Sequence, residues 1–250
     1  MNRLVRAEFY RIWHSGFFTR ILILLFFVVL FFPLMTDFDF FSKTLAEVMD
    51  DLAMGVLIST MFLSVITSFF VSLGYMKKTA YYEVMAGSKN GHIIGSKLVT
   101  EGIFIGVLLF IAIIGFGVVT TIKNGTGGVE NLGTRCLMLI FVCLRMTVVG
   151  TLMGMAIKNY AACLVAYARF LGMDIVLSSF LLPLLYMKEI LGETVYQRLQ
   201  HCMINTQIGT ICGNAEVTTE AVLWCLVSFF VEVIAWYILV YVTMKKKWYK

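Results

Sequence analysis

Apolar runs about as long as a bilayer is thick recur along this chain, at residues 17–35, 52–75, 98–121, 136–157, 161–186 and 221–244. A helix needs about 20 mostly apolar residues to cross the hydrocarbon core, so these runs predict six transmembrane helices. In lipid every backbone polar group must be satisfied internally, which leaves helices and closed barrels as the only spanning structures. Barrel strands would alternate apolar and polar residues over short segments. The runs here are continuous, and hydrophobic residues make up 60% of the chain against 14% charged, where a soluble domain carries about 25% charged. The expected fold is therefore all-α and polytopic, with residues 1–250 forming a single membrane domain without linker or internal repeat.

The first run is preceded by a second kind of pattern. Over residues 2–16, Val5, Phe9, Ile12 and Trp13 fall on one helical face and Arg3, Tyr10, Arg11 and His14 on the other. This predicts an interfacial amphipathic helix lying on the inner membrane surface. The basic start and first run resemble a signal peptide, but the run is long and no small-residue cleavage site follows Pro33, so it reads as a retained span.

Lys and Arg set the orientation. Arg3, Arg6, Arg11, Arg20, Lys77, Lys78, Lys89, Lys97, Lys158, Lys245, Lys246, Lys247 and Lys250 fall on one side of a six-span arrangement. Only Lys43, Lys123, Arg135, Lys188 and Arg198 fall on the other. The positive-inside bias then places both termini in the cytoplasm. Residues 36–51, with Asp37, Asp39, Glu47, Asp50 and Asp51, become an outer loop, and so does the long stretch 187–220. The net charge of +5 reports contact with anionic lipid and not with nucleic acid.

Motifs for chemistry are missing. His14, His92 and His201 are scattered, without an HExxH or Cys-x-x-Cys spacing for a metal. No GxSxG elbow presents a serine nucleophile. Gly91-His-Ile-Ile-Gly95-Ser96-Lys97-Leu98 has the wrong glycine spacing for a phosphate loop and no Ser or Thr after the lysine. Of six cysteines, Cys136, Cys143, Cys163 and Cys225 sit in apolar runs as small hydrophobes. Cys202 and Cys212 share the predicted outer loop and could pair there. Asn124-Gly125-Thr126 has the form of a glycosylation acceptor. No catalytic, cofactor or metal site is expected in this chain.

The polar insert 76–97 between the second and third runs is the most informative stretch. Tyr81, Tyr82, Val84 and Met85 cluster beside Glu83, Gly87-Ser88-Lys89-Asn90-Gly91 breaks the helix, and Ile93-Ile94 with Lys97 lead back into the membrane. Such a segment suits docking of a soluble partner, and a solvated turn with membrane-anchoring tyrosines is the plainer reading. Glu83, Gly87, Ser88, Ile93, Ile94 and Lys97 stand in the order of a loose motif. With the amphipathic start, six spans and large loop before the last span, the chain resembles permease subunits of ATP-binding-cassette transporters of the type-two exporter class.

That resemblance implies that residues 81–90, from Tyr81 through Glu83, Gly87, Ser88 and Lys89 to Asn90, form the coupling helix on which a cytoplasmic ATPase subunit seats. It also implies a second permease copy or a related permease, and a location in the plasma membrane, as in bacterial exporters of amphipathic peptides or hydrophobic antimicrobials. ATP and Mg would reside in the partner subunit.

Charges inside the runs are the last feature: Glu101, Arg145, Arg169, Asp174 and Glu232. Mid-membrane charges are costly unless paired or facing water. A relay in an ion-coupled secondary transporter would use them, and so would ion pairs that lock helices together. Arg145 and Glu232 lie at similar depth in their spans, which permits a pair, while Glu101 and Arg169 are placed to reach the inner surface. Gly102-x-x-x-Gly106 and Gly150-x-x-x-Gly154 suit close helix packing within the subunit or in a dimer.

Overall fold

The computed structural model describes residues 2–14, 44–77, 88–125, 127–213 and 217–248. The predicted first span, residues 17–35, and residues 81–87 of the insert lie outside the described residues. Among the described residues all regular structure is helical, and five helices are long and apolar enough to cross a membrane. The chain is a multi-pass membrane protein with the predicted all-α fold.

Helix α1 is Asn2–His14, and α2 is Leu45–Met76. Helix α3 is assembled from Asn90–Lys97, a π-helical turn at Leu98–Ile103 and Phe104–Asn124. Helix α4 is Leu132–Ile157. Helix α5 joins Ala161–Arg169, a π-helical stretch at Phe170–Leu181 and Leu182–Met187. Two shorter helices, α6 (Glu193–Cys202) and α7 (Ile204–Cys212), precede α8, Thr219–Trp248.

Several boundaries depart from the sequence-based expectation. Helix α2 begins at Leu45, so Glu47, Asp50 and Asp51 open a helix and do not lie in a loop. Helix α3 begins at Asn90, eight residues ahead of the predicted span. The expected loop 187–220 carries α6 and α7, and Ile204, Gln207, Ile208 and Ile211 of α7 are buried against α2 and α4. The break at 158–160 is as expected: Lys158 is left-handed at φ 62, and Asn159 Oδ1 accepts from the Ala161 amide at 2.9 Å.

Helix α4 is the hub, with α2, α3, α5, α7 and α8 all packed on it. Both small-residue motifs serve this packing. A Cβ at Gly150 would lie 2.4 Å from the Ser64 carbonyl oxygen, and one at Gly154 would lie 2.7 Å from that of Ser68, so α2 and α4 touch backbone to backbone. Across the hub, a Cβ at Gly106 would lie 2.6 Å from Thr147 Oγ1. Close approach of this kind supplies the dispersion contacts that hold helices together in lipid, where no hydrophobic drive separates them from the tails.

Helix α1 docks on the bundle through part of its predicted apolar face. Ile12 is buried and Phe9 packs edge-on against Phe104 with ring centroids 4.9 Å apart. Trp13, however, is 72% exposed, and Glu8 takes the inward position at 3% exposed. An ion pair accounts for the inward Glu8: Lys97 Nζ donates to Glu8 Oε1 at 2.6 Å, with Lys97 completely buried.

Candidate functional site

The intramembrane charges converge. Helix α4 presents Arg145, α5 presents Arg169 and Asp174, and α8 presents Glu232, with side-chain exposures of 8%, 7%, 1% and 15%. Arg145 donates from Nε to Glu232 Oε2 at 2.7 Å. Arg169 donates from Nε to Glu232 Oε1 at 2.6 Å, from Nη2 to Glu232 Oε2 at 2.7 Å and from Nη1 to Asp174 Oδ2 at 2.9 Å. The expected Arg145–Glu232 pair is therefore present. Arg169, expected to reach the inner surface, is instead held inside by two carboxylates.

Local backbone geometry explains the Arg169–Asp174 contact. Residues five apart fall on different faces of an α-helix, whereas i→i+5 bonding widens the turn and brings them over one another. The π-helical stretch begins at Phe170, immediately after Arg169. The sequence spacing of five was visible, but an α-helical reading of it gives no pair.

The cluster also captures the folded-back segment. Arg145 Nη1 donates to the Cys202 carbonyl at 2.8 Å and to Ser228 Oγ at 3.1 Å, and the Ile204 amide donates to Asp174 Oδ1 at 3.2 Å. Gln207 Nε2 donates to the His201 carbonyl at 2.8 Å and to Ser228 Oγ at 3.1 Å. Gln200 Nε2 donates to the Ser178 carbonyl at 2.9 Å. Sequence reasoning missed Ser228 and Gln207. Ser228 lies four residues before Glu232, one helical turn away on the same face of an otherwise apolar helix, and that spacing was a readable signal.

Two guanidiniums and two carboxylates make the cluster electroneutral, which limits the cost of placing it in a low-dielectric interior. Every carboxylate oxygen accepts from at least one donor, three of them from arginine. Protonating Glu232 or Asp174 would remove a charge that an arginine already uses. The arrangement clamps α4, α5, α8 and the α6–α7 segment together.

A second buried pair lies where α1 packs against the start of α3. Lys97 and Glu8 form it, and the Tyr75 ring sits between two ammonium groups, with Lys97 Nζ 5.9 Å and Lys158 Nζ 5.4 Å from its centroid. Glu101, placed by its sequence near the inner surface, is 1% exposed within the π-helical turn of α3. Of the predicted coupling residues, Tyr81, Tyr82, Glu83, Val84, Met85 and Gly87 lie outside the described residues. Ser88 is half-buried, Lys89 is exposed with extended backbone (φ −67, ψ 142), and Asn90 opens α3. Among the described residues no disulfide joins Cys202, which is half-buried, to Cys212, which is buried.

Fold and site together define an all-helical, multi-pass membrane protein with a buried ionic clamp. The chain matches no protein-family model, no curated protein and no solved structure.

Proposed function

We propose that this chain is the membrane subunit of an ATP-driven exporter, with six spans, both termini in the cytoplasm and a separate ATPase docking on residues 81–90. The cargo class is amphipathic peptide or hydrophobic antimicrobial compound, and the setting is a bacterial plasma membrane. A second permease, identical or related, completes the path, and ATP with Mg is bound by the partner. The reading rests on the resemblance carried by Glu83, Gly87, Ser88, Ile93, Ile94 and Lys97.

One structural observation supports it best. The helix that leaves the insert at Asn90 runs unbroken to Ile122, a 33-residue candidate span, so a load applied at residues 81–90 acts directly on a membrane helix. Lys97, seven residues into that helix, is also bound to Glu8, which ties α1 to the same lever.

The alternative, an ion-coupled secondary transporter, needs a carboxylate that exchanges protons or ions. Pairing of both Glu232 oxygens and one Asp174 oxygen with arginines weighs against it. A direct test replaces Tyr82 or Val84 with Asp, which places an unpaired charge at the docking contact. The variants are expected to insert and fold yet lose copurification with the ATPase and cargo-stimulated hydrolysis. Transport that persists without any ATPase and collapses with the proton gradient would overturn the proposal.

A further inference from the structure

The docking of α1 leaves one face that is exposed among the described residues. Glu8, Phe9 and Ile12 turn inward, while Arg3, Arg6, Tyr10 and Trp13 turn out, with Tyr10 66% and Trp13 72% exposed. At 3.6 residues per turn these four side chains fall within an arc of about 80°. Two guanidiniums occupy one end of the stripe and two aromatic rings the other. The Tyr10 ring stacks on His14 at 3.9 Å, so it is held and does not sweep freely.

Position gives the stripe its meaning. Helix α1 packs at the end of the bundle where α3 begins, and Lys77 and Lys89 are exposed at that same end. Glu8 on α1 and Glu101 near the start of α3 are both buried. At this end of the bundle the stripe presents cations beside which the described residues place no exposed acid. Tyr and Trp favour the membrane boundary, with the ring apolar and the polar tip wet.

We propose that Arg3, Arg6, Tyr10 and Trp13 form a binding surface for anionic phospholipid. The two guanidiniums hold the headgroup phosphate, for which their planar forks are suited, and the rings lie along the glycerol and upper acyl region. Because the buried Glu8–Lys97 pair fixes α1 to the start of α3, lipid bound here also steadies the entry of that span. The surface acts in this way whether or not an ATPase docks on residues 81–90.

The test uses the purified, delipidated full chain in detergent, titrated with dioleoyl phosphatidylglycerol or dioleoyl phosphatidylcholine and read by native mass spectrometry. The wild type is expected to retain phosphatidylglycerol better by about 25-fold or more. Arg3→Gln with Arg6→Gln is expected to lower that preference by about fivefold per arginine. Trp13→Ala is expected to lower retention of both lipids alike. Since these side chains are exposed, lipid-free melting temperatures are expected to match the wild type, which separates loss of binding from loss of fold. Equal retention of the two lipids by the wild type, or an unchanged preference in the double variant, overturns the proposal. So does displacement of phosphatidylglycerol by an equal concentration of glycerol 3-phosphate, which would make this a soluble-phosphate site. A double variant that keeps its lipid preference but loses a copurifying soluble protein overturns it too, in favour of a protein-docking face.

Discussion

Arg169 grips Glu232 side-on, donating from Nε to Oε1 at 2.6 Å and from Nη2 to Oε2 at 2.7 Å, while Arg145 donates to the same Oε2 at 2.7 Å. One carboxylate on α8 thus balances two cations from α4 and α5. Removing it leaves two buried guanidiniums with Asp174 as their single carboxylate.

Glu232→Gln is therefore expected to destabilise the protein by about 3–5 kcal/mol, the range for breaking a buried pair from one side. Arg145→Met is expected to do the same in part. Because the two residues share one network, the double variant is expected to fall short of the summed losses by about 0.5–3 kcal/mol. Denaturant unfolding in detergent micelles measures all three. Additive effects with normal stability and abolished transport would make the cluster a relay.

How far the sequence led is clear from these residues. Long apolar runs gave the helices, because chain length and hydrocarbon thickness leave little freedom, and the described membrane helices begin and end within a few residues of expectation except at the starts of α2 and α3. Arg145 and Glu232 were legible as partners from matching depth. Arg169 was not, because its contact with Asp174 needs a π-helical turn that no periodicity announces. Glu8 was hidden by the habit of placing acids on the wet face of an amphipathic helix. Its position four residues before buried Ile12 was the clue.

The α2–α4 contact predicts a sharp contrast between glycines. Gly150→Leu and Gly154→Leu force side chains into the Ser64 and Ser68 backbone, with the first intruding atom only 2.4 and 2.7 Å away. Overpacking of this kind costs about 1–3 kcal/mol or more. At Gly115 a Cβ meets nothing within 4 Å, so Gly115→Ala is expected to be neutral or to gain about 0.5–1 kcal/mol from helix propensity. Melting in detergent distinguishes them, and equal effects at the three sites would refute the packing argument.

The Glu8–Lys97 pair predicts charge-swap rescue. Lys97→Glu alone sets two buried carboxylates face to face and is expected to release α1 from the bundle. Adding Glu8→Lys restores opposite charges in the same space and is expected to recover most of the loss. Spin labels at Trp13 and Ile111, both exposed, report whether α1 stays docked. Failure of the swap to restore the wild-type distance distribution would show that packing at Phe9 and Ile12, and not the ion pair, holds the helix.

Arg145 does more than neutralise Glu232, and Arg145→Lys separates its two roles. Through Nη1 it also donates to the Cys202 carbonyl at 2.8 Å and to Ser228 Oγ at 3.1 Å, anchoring the C-terminal end of α6 to α4 and α8. Lysine keeps the charge but offers one compact ammonium in place of a planar fork, so it cannot bond Glu232, Cys202 and Ser228 in the same directions. A lysine that follows the carboxylate abandons the Cys202 carbonyl, which then needs another donor or exposure to water. The α6–α7 segment is expected to open more often, and the half-buried Cys202 thiol reports it directly. In a protein whose other five cysteines are replaced by alanine, Arg145→Lys is expected to raise the maleimide labelling rate at Cys202 about tenfold. That factor corresponds to a loss of about 1.4 kcal/mol in the closed state, close to the lower bound of about 1.5 kcal/mol for one hydrogen bond to a charged group. Global melting is expected to fall less than in Arg145→Met, because the charge balance with Glu232 survives. An unchanged labelling rate would mean that the Ile204 amide on Asp174 and the buried apolar face of α7 suffice to hold the segment, leaving Arg145 a role in charge neutrality alone.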